Sequence, residues 1–519
     1  MAAETVDISN AMVTAPATLG DWLVVAPVAI PLVFGAVLLM VRHETRFHAG
    51  LAIAGLMATF AANVGLLERV LSEGPQAMTM GRWLPPFGIS FAADALGASL
   101  ALVATLVAIV CAIYATKEID ATGRRYGFYP FMLLMMAGVG GSFLTGDVFN
   151  LYVWFEVFLI SSFGMLVLGS THRQLDGATK YAILNLVGTT LFLTATAFLY
   201  GTFGTLNMAD IAGKVDAMRD TGPLMTLTVL YLLAFGMKAA AFPLNFWLPA
   251  SYHTPSIVTA ALFGGVLTKV GVYAMMRILV MLFPVERAVL ADLIAWVAAG
   301  TMVLGIMGAL AQSDIRRVLG FVVISGVGVM MAGVALGTEA GLTGTVLYAF
   351  HSIIAMTALY LLAGVMNGLG GSYSLHELSG LYRNYPLLAA FALLLVLSAA
   401  GLPPASGLWP KVILVRASLD AGLPWLSFAI LLTGLLTTVA MGRVFILTIW
   451  RQTAKPAEND TVVAGRPAVG YAALAMLSLP ILLLGLYPEP LIRIATVSAT
   501  GLLEASSYLG AVFPMEAQP

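Results

Sequence analysis

The stretch LAFGMKAAAFPLNFWLP, residues 233–249, decides the fold of this chain. Lys238 and two prolines, Pro243 and Pro249, interrupt an apolar segment that is long enough to cross a bilayer. Pro243 has no amide hydrogen for the carbonyl of Ala239, so a helix here is predicted to break just after Lys238. A charge at membrane depth costs roughly 2.5–3.5 kcal/mol on insertion scales, and secondary transporters place ion sites beside such breaks. The alternative is that the Lys238 ammonium group extends to the membrane interface.

The composition predicts a membrane protein. Of the 519 residues, 60% are hydrophobic and 10% are charged, whereas soluble proteins contain about 25% charged residues. The formal net charge of −1 gives no reason to expect a nucleic-acid partner. The single cysteine, Cys111, cannot form an internal disulfide or provide a cluster of thiolates for zinc or iron–sulfur. We therefore expect no cofactor and no bound metal, and a lipid bilayer as the surroundings.

Apolar windows of about twenty residues predict about fourteen transmembrane helices. The windows lie near residues 22–41, 49–67, 95–116, 127–145, 148–169, 178–202, 223–250, 256–283, 289–311, 316–337, 342–367, 385–420, 424–450 and 468–487. The seventh and the twelfth windows are long and contain prolines, so both helices should be broken. The predicted fold is an all-α polytopic membrane protein.

The second break resembles the first. The segment GLPPASGLWPK, residues 401–411, ends a long apolar run, contains Pro403 and Pro404, and carries Lys411. The two prolines deprive the carbonyls of Ala399 and Ala400 of their helical partners, and such backbone must line a cavity or be covered by protein. The second break lies five windows after the first, and this odd offset reverses its direction relative to the first and predicts inverted repeats.

This symmetry divides the chain into four parts. Residues 1–126 are expected to form N-terminal transmembrane helices, and residues 451–519 a C-terminal transmembrane helix and a tail. The first inverted repeat covers residues 127–283 and the second covers residues 289–450. Each repeat would contain one ion half-channel.

Four ionisable side chains are predicted to lie at mid-membrane. Glu156 follows the apolar segment FNLYVWF, Lys269 lies within LFGGVLTKVGVY, and Lys238 and Lys411 accompany the two breaks. Buried lysines and glutamates can exchange protons near neutral pH when neighbouring charges change. A Glu156–Lys238 pair that forms and breaks is therefore a candidate proton gate. A static structural ion pair is the alternative.

Three further residues are weaker candidates. His351 lies inside an apolar window and is either a proton relay or a packed histidine with satisfied hydrogen bonds. His253 follows the first break in a short loop, where it could take up protons. Asp147 precedes the window that contains Glu156, so it is predicted to cap a helix, with proton uptake or support of the site as the alternative.

Basic residues set the expected orientation. The loops that contain Arg124, Arg173 and Arg317 belong to the more basic set of alternating loops, which are placed in the cytoplasm. Both chain termini would then lie outside the cytoplasm. The arginines nearer to window ends are predicted to extend their guanidinium groups to the interface; they are Arg277, Arg416 and Arg443.

Several ordered motifs identify a family resemblance. GDVFNLYVWFE (146–156), KYAILNL (180–186), GTLNMAD (204–210) and LTKVGVY (267–273) resemble the antiporter-like membrane subunits shared by complex I, membrane-bound hydrogenases and Mrp-type Na⁺/H⁺ antiporters. The resemblance covers roughly residues 90–450 and is strongest to the D-type subunits of the Mrp-type antiporters, which a lysine at position 411 also fits. It implies fourteen core helices, two inverted five-helix repeats and external termini.

The resemblance also implies roles for individual residues. Glu156 matches the glutamate of the fifth helix in the family, Lys238 the lysine of the seventh, and Lys269 the lysine of the eighth. Lys411 matches the terminal charge on the broken twelfth helix. With His351, these residues would translocate protons.

The chain departs from the family pattern in its second half. Many relatives have a lysine five residues after the histidine of the eleventh helix, where this chain has Met356. Phe321 and Val322 lie in a segment where tyrosine and serine are usual in the family. The second half-channel is therefore expected to be interrupted or filled by water.

The expected function is proton translocation in a multisubunit Na⁺/H⁺ antiporter of a bacterial inner membrane, without enzymatic chemistry. The expected partners are the other integral membrane subunits of an Mrp-type complex, together with the transported H⁺ and Na⁺. One alternative is a proton-pumping subunit of complex I or of a membrane-bound hydrogenase, in which the same residues would act. Another is a scaffold with a vestigial channel. The subunits that co-purify with the chain would separate the first two.

Overall fold

The computed structural model describes residues 12–13, 16–18, 20–452 and 467–513. The two chain ends and residues 453–466 lie outside these ranges. The predicted external position of both termini therefore concerns residues that are not among those described. The described part of the chain consists mainly of helices.

The bounds of the helices follow the predicted windows closely. The main helices are α1 (Ala26–Met40), α2 (His48–Glu73), α3 (Ala95–Glu118), α4 (Phe128–Leu144), α5 (Val148–Val167), α6 (His172–Phe203), α7 (Leu224–Ala239), α8 (Trp247–Ser251), α9 (Ile257–Leu282), α10 (Ala291–Leu310), α11 (Ile315–Leu336), α12 (Glu339–Gly370), α13 (Pro386–Ala400), α14 (Leu408–Asp420), α15 (Pro424–Trp450), α16 (Pro467–Leu486) and α17 (Glu489–Leu503). Short helical segments lie at Asp21–Val24, Met80–Arg82, Ala121–Arg125, Met208–Lys214, Pro284–Val289, Leu381–Asn384 and Ser506–Val512.

A small antiparallel hairpin adds a feature that the all-α prediction missed. β1 (Gln76–Thr79) pairs with β2 (Ser90–Ala93), with Gln76 opposite Ala93 and Thr79 opposite Ser90. Strands of four residues carry too few alternating positions to be recognised in an apolar sequence. The hairpin lies between α2 and α3, where the sequence indicated only a loop.

Ten of the described helices are long and apolar enough to cross a membrane by length and composition. They are α2, α3, α5, α6, α9, α10, α11, α12, α15 and α16, and the shorter apolar helices are α1, α4, α7 and α13. The chain is therefore a polytopic membrane protein. The apolar windows were sufficient to predict these helices because the bilayer core requires long, continuous apolar segments.

Both long windows are divided near their prolines, as predicted. α7 ends before Ala240, a residue with a left-handed backbone (φ 62°), and α8 begins after Pro243. α13 ends before Gly401, which has φ 80°. An added Cβ at Gly401 would lie 2.9 Å from Nζ of Lys411, so glycine supplies both the backbone conformation and the space for the lysine.

The helices divide into a central and a peripheral group. α9 and α12 are buried along their entire most apolar windows, and α11 is buried along almost all of its window. Less than half of the most apolar window is buried in α2, α6 and α15. Large apolar side chains such as Leu186, Phe198 and Leu431 cover these outer faces. The ionisable residues of the centre are therefore surrounded by protein, and the apolar periphery suits contact with lipid.

Arg277 does not reach the membrane interface, so that prediction was wrong. The side chain in α9 is 1% exposed, and its guanidinium donates to Asp94 Oδ1 at 2.5 Å and, through Nε, to the Tyr273 hydroxyl at 3.0 Å. The Tyr508 ring lies 5.3 Å from the guanidinium carbon. A buried charge is tolerated here because it is paired and hydrogen-bonded. Asp94 is too distant in sequence for the pairing to have been predicted.

Candidate functional site

Glu156, Thr189 and Lys238 form the first cluster of the candidate site. α6 packs against both α5 and α7 and so brings the three side chains together. The Thr189 hydroxyl donates to Glu156 Oε1 at 2.8 Å, and Lys238 Nζ donates to Thr189 Oγ1 at 2.6 Å. Nζ also donates to the backbone carbonyl of Asn185 at 3.2 Å. The hydroxyl therefore connects the acid and the lysine.

Lys238 is held apart from Glu156 by this hydroxyl. The lysine is 5% exposed, and no direct ion pair joins the two charged groups in the described part of the chain. Its Nζ lies 5.8 Å from the centroid of the Phe155 ring, within the range of a cation–π contact. The predicted Glu156–Lys238 proximity is present, but it is mediated by Thr189.

Lys269 lies at the centre of the bundle on α9. It is 1% exposed, and its Nζ donates to the carbonyl of Gly264 at 2.7 Å. Gly264 belongs to a π-helical turn, Phe263–Leu267, in which the usual helical hydrogen bonds are shifted by one residue. The ammonium group is therefore held by a backbone oxygen of this turn. Thr268 beside it has a buried hydroxyl with no partner among the described residues.

Lys411 is bound to the backbone that the second break exposes. Its Nζ donates to the carbonyl of Ala400 at 2.8 Å and to that of Ala399 at 3.2 Å. These are the two carbonyls whose helical partners would have been the amides of residues 403 and 404, both prolines. The break thus provides two oxygen ligands for the lysine.

His351 links α12 to the same break. Its Nδ1 shares a hydrogen bond of 2.8 Å with the Ser406 hydroxyl, in the connection between α13 and α14. Gly407 lies against the imidazole, since an added Cβ would be 3.1 Å from Nε2. Met356 is also buried in α12, and its thioether cannot carry a proton. The interruption of the second half-channel that is expected at Met356 remains a prediction.

His253 lies in the turn between α8 and α9. Its Nδ1 is 2.9 Å from the carbonyl of Pro249, so this nitrogen carries the hydrogen, and Nε2 accepts from the Arg317 guanidinium at 3.2 Å. Burial, and then the charge of Arg317, lower the pKa of His253 to about 4. The imidazole is therefore neutral near pH 7. In this geometry neither nitrogen is free to take up a proton.

Asp147 caps α5, as predicted. Its Oδ1 accepts from the backbone amide of Asn150 at 2.8 Å, and the Asn150 amide group donates to the Thr145 hydroxyl at 2.9 Å. Burial raises the pKa of Asp147 to about 6. The carboxyl group can therefore change its protonation state in the neutral range, at the opposite end of the bundle from His253.

The predicted residues form separate clusters. Among residues 20–452, no hydrogen bond joins Lys238 to Lys269, or Lys269 to His351. A proton that moved along them would need water or side-chain motion between clusters. No group of three or more His, Cys, Asp or Glu in the described ranges is arranged to hold a metal ion.

Sequence reasoning missed the polar residues that form hydrogen bonds with the predicted side chains. Thr189 and Asn185 lie on α6 and Ser406 lies in the second break. α6 contains several threonines, and nothing in the sequence distinguishes Thr189 from its neighbours. Which of them faces the lysine depends on the rotation of the helix within the bundle.

The fold and the buried ionisable side chains define the class of the protein, a polytopic membrane protein of the ion-transporting type. Residues 145–437 match the family model described as NADH:quinone oxidoreductase/Mrp antiporter, TM. The chain therefore belongs to this family, which confirms the resemblance seen in the motifs.

Individual relatives point to one branch of the family. The chain is similar to the D-type subunit of the Na(+)/H(+) antiporter of Alkalihalophilus pseudofirmus, with 36% identity over 94% of this chain and 99% of the relative. It is 35% identical to the corresponding Na(+)/H(+) antiporter protein of Bacillus subtilis, over 94% of this chain and 99% of the relative. The structure is similar to a chain of the Mrp complex from Dietzia sp. DQ12-45-1b, with a TM-score of 0.87, 29% identity, and 96% and 100% of the two chains covered.

Proposed function

We propose that the chain is the proton-translocating subunit of a multisubunit Na⁺/H⁺ antiporter of the bacterial inner membrane. The observation that carries the proposal is the cluster in which the Thr189 hydroxyl connects the half-buried Glu156 with the buried Lys238. The two bacterial relatives are named as Na(+)/H(+) antiporter proteins, which supports the coupling to Na⁺. The similar chain of an Mrp complex supports other integral membrane subunits as partners.

The proposed route passes three groups of side chains in order. Protons would pass along Glu156 and Lys238, then Lys269, and then His351 and Lys411. Each lysine is bound to backbone carbonyls or a hydroxyl, which are groups that can hold either an ammonium or an amine. Proton movement then requires no chemistry on a substrate, so the subunit acts as a transporter. Na⁺ exchange would be coupled through partner subunits.

The proposed architecture has fourteen transmembrane helices. It counts the ten long apolar helices and the four shorter ones, with α7 and α13 as the first parts of the broken helices. The two breaks support two inverted five-helix repeats, in residues 127–283 and 289–450. The basic residues Arg173 and Arg317 support a cytoplasmic position for the His253 end. His253 and Asp147 would then lie near the two ends of the route.

The family description also supports a second candidate, a membrane subunit of a redox-driven proton pump, because it names NADH:quinone oxidoreductase. The same buried residues would then move protons in response to electron transfer in other subunits. Purification of the native complex discriminates between the two. Small membrane subunits of the Mrp type support the antiporter, and peripheral iron–sulfur subunits support the redox pump.

Replacing Lys238 with methionine tests the proposal. Methionine fills a similar volume but cannot bind a proton. Na⁺-dependent proton movement should therefore fall at least about tenfold, as expected when a group that transfers protons is removed. The measurement is collapse of a pH gradient on addition of Na⁺ to everted membrane vesicles that contain the whole complex. Lys180→Met is the matched control, because Lys180 on α6 is half exposed and paired with Asp176. Full activity of Lys238→Met would refute the proposed route.

A further inference from the structure

Thr189 differs from the other threonines of α6. All five of them donate their hydroxyl hydrogen to the backbone carbonyl four residues earlier, which is the usual local bond of a helical threonine. They are Thr179, Thr190, Thr194, Thr196 and Thr202. Thr189 instead donates across the helix interface to Glu156 Oε1 on α5. Its hydroxyl hydrogen is therefore bonded to the acid of the Glu156–Thr189–Lys238 cluster and not to its own helix.

The carbonyl that Thr189 leaves free is used by the lysine. Asn185 lies four residues before Thr189, and its carbonyl accepts from Lys238 Nζ at 3.2 Å. The same Nζ donates to Thr189 Oγ1 at 2.6 Å. The Lys238 ammonium group thus donates hydrogen bonds to both the Asn185 carbonyl and the Thr189 hydroxyl in this turn of α6. A local bond from Thr189 to Asn185 would remove the connection between lysine and acid.

Close packing of α6 and α7 fixes this geometry. Gly188 precedes Thr189, and an added Cβ there would lie 3.2 Å from Met237 Sδ and 3.5 Å from Lys238 Cε. The absence of a side chain allows the two helices to approach each other. Thr189 and Lys238 are both nearly fully buried, so water cannot readily take the place of the hydroxyl between them.

We propose that the Thr189 hydroxyl carries protons between Lys238 and Glu156, which extends the proposed proton translocation and rests on it. In the forward step one N–H bond of the ammonium breaks as a new O–H bond forms at Oγ1. The original hydroxyl O–H bond breaks as an O–H bond forms at Glu156 Oε1. The products are a neutral amine, an unchanged threonine and a neutral carboxylic acid, and the reverse step restores the charges. No direct contact of lysine and acid is needed.

The test compares Thr189→Val with Thr189→Ser in the assembled complex. Valine keeps the shape but removes the hydroxyl, and serine keeps the hydroxyl but loses the methyl group. We expect Na⁺-dependent proton movement in everted vesicles to fall at least about tenfold with valine and to stay within about twofold of wild type with serine. Thr190→Val, at the neighbouring exposed position of the same helix, is the control and should leave transport unchanged.

Three results would overturn the proposal. They are full transport with Thr189→Val, equal loss with valine and serine, and assembly of the complex with serine but with neither valine nor alanine at this position. Glu156→Gln is measured in parallel to separate this inference from the proposed function. Loss of transport in Glu156→Gln together with full transport in Thr189→Val refutes the hydroxyl relay alone, whereas full transport in Glu156→Gln refutes proton translocation by this cluster.

Discussion

Replacing Glu156 with glutamine is expected to abolish Na⁺-coupled proton movement while the complex still assembles. Glutamine has nearly the same size, and its amide oxygen can still accept the hydrogen bond from Thr189, which spans 2.8 Å in the native chain. It cannot bind or release a proton, and it removes the negative charge nearest to Lys238. The loss should therefore reach at least about tenfold, as for other groups that transfer protons.

The measurement is the collapse of a pH gradient after addition of Na⁺, in vesicles with matched amounts of complex. Glu339→Gln is the control, because Glu339 is an exposed residue at the start of α12 and should not affect transport. If Glu156→Gln retains wild-type transport, the carboxyl group does not exchange protons during turnover, and the cluster is a static part of the structure.

Replacing Asp94 with alanine should strongly destabilise the protein. Asp94 Oδ1 accepts from the buried Arg277 guanidinium at 2.5 Å and from the backbone amide of Gly97 at 2.9 Å. Removing one partner of a buried ion pair leaves an uncompensated charge and costs about 3–5 kcal/mol. The midpoint temperature of unfolding of the detergent-solubilised protein should fall by several degrees, or the protein should fail to accumulate.

A double variant tests the cause of this effect. Asp94→Asn with Arg277→Met removes both charges and keeps an acceptor for the α3 cap, so it should recover much of the stability lost by Asp94→Ala. Arg416→Met is the control, because the Arg416 side chain is 85% exposed and its pairing with Asp420 should contribute little. Equal destabilisation by the double variant and by Asp94→Ala would show that the charge of Arg277 is not the cause.

The sequence predicted the features that depend on local chemistry. Pro243, Pro403 and Pro404 predicted both helix breaks because a proline cannot donate the helical hydrogen bond. The apolar windows predicted the long helices because the bilayer core excludes unpaired backbone. The same reasoning identified Ala399 and Ala400 as the residues with free carbonyls, which accept from the ammonium group that follows the second break.

Features that depend on how helices face one another could not be predicted. Thr189 connects two charged residues only because α6 is rotated so that this threonine, and not Thr190, faces α7. Arg277 was expected to extend to the interface because it lies near the end of its apolar window, and its partner, Asp94, is 183 residues away in the sequence. A single sequence contains no information on such pairings unless the residues share one helix face.

The proposed route carries protons across the middle of this subunit through its buried lysines. Lys269 tests it most directly, because it is 1% exposed and its Nζ has only the carbonyl of Gly264 as a hydrogen-bond partner among the described residues. Methionine at this position removes the titratable group and keeps most of the volume, and Lys117→Met at the exposed end of α3 is the control. Na⁺-dependent proton movement in vesicles that contain the assembled complex should fall at least about tenfold with Lys269→Met. Wild-type transport in that variant would contradict a proton route through the centre of the chain.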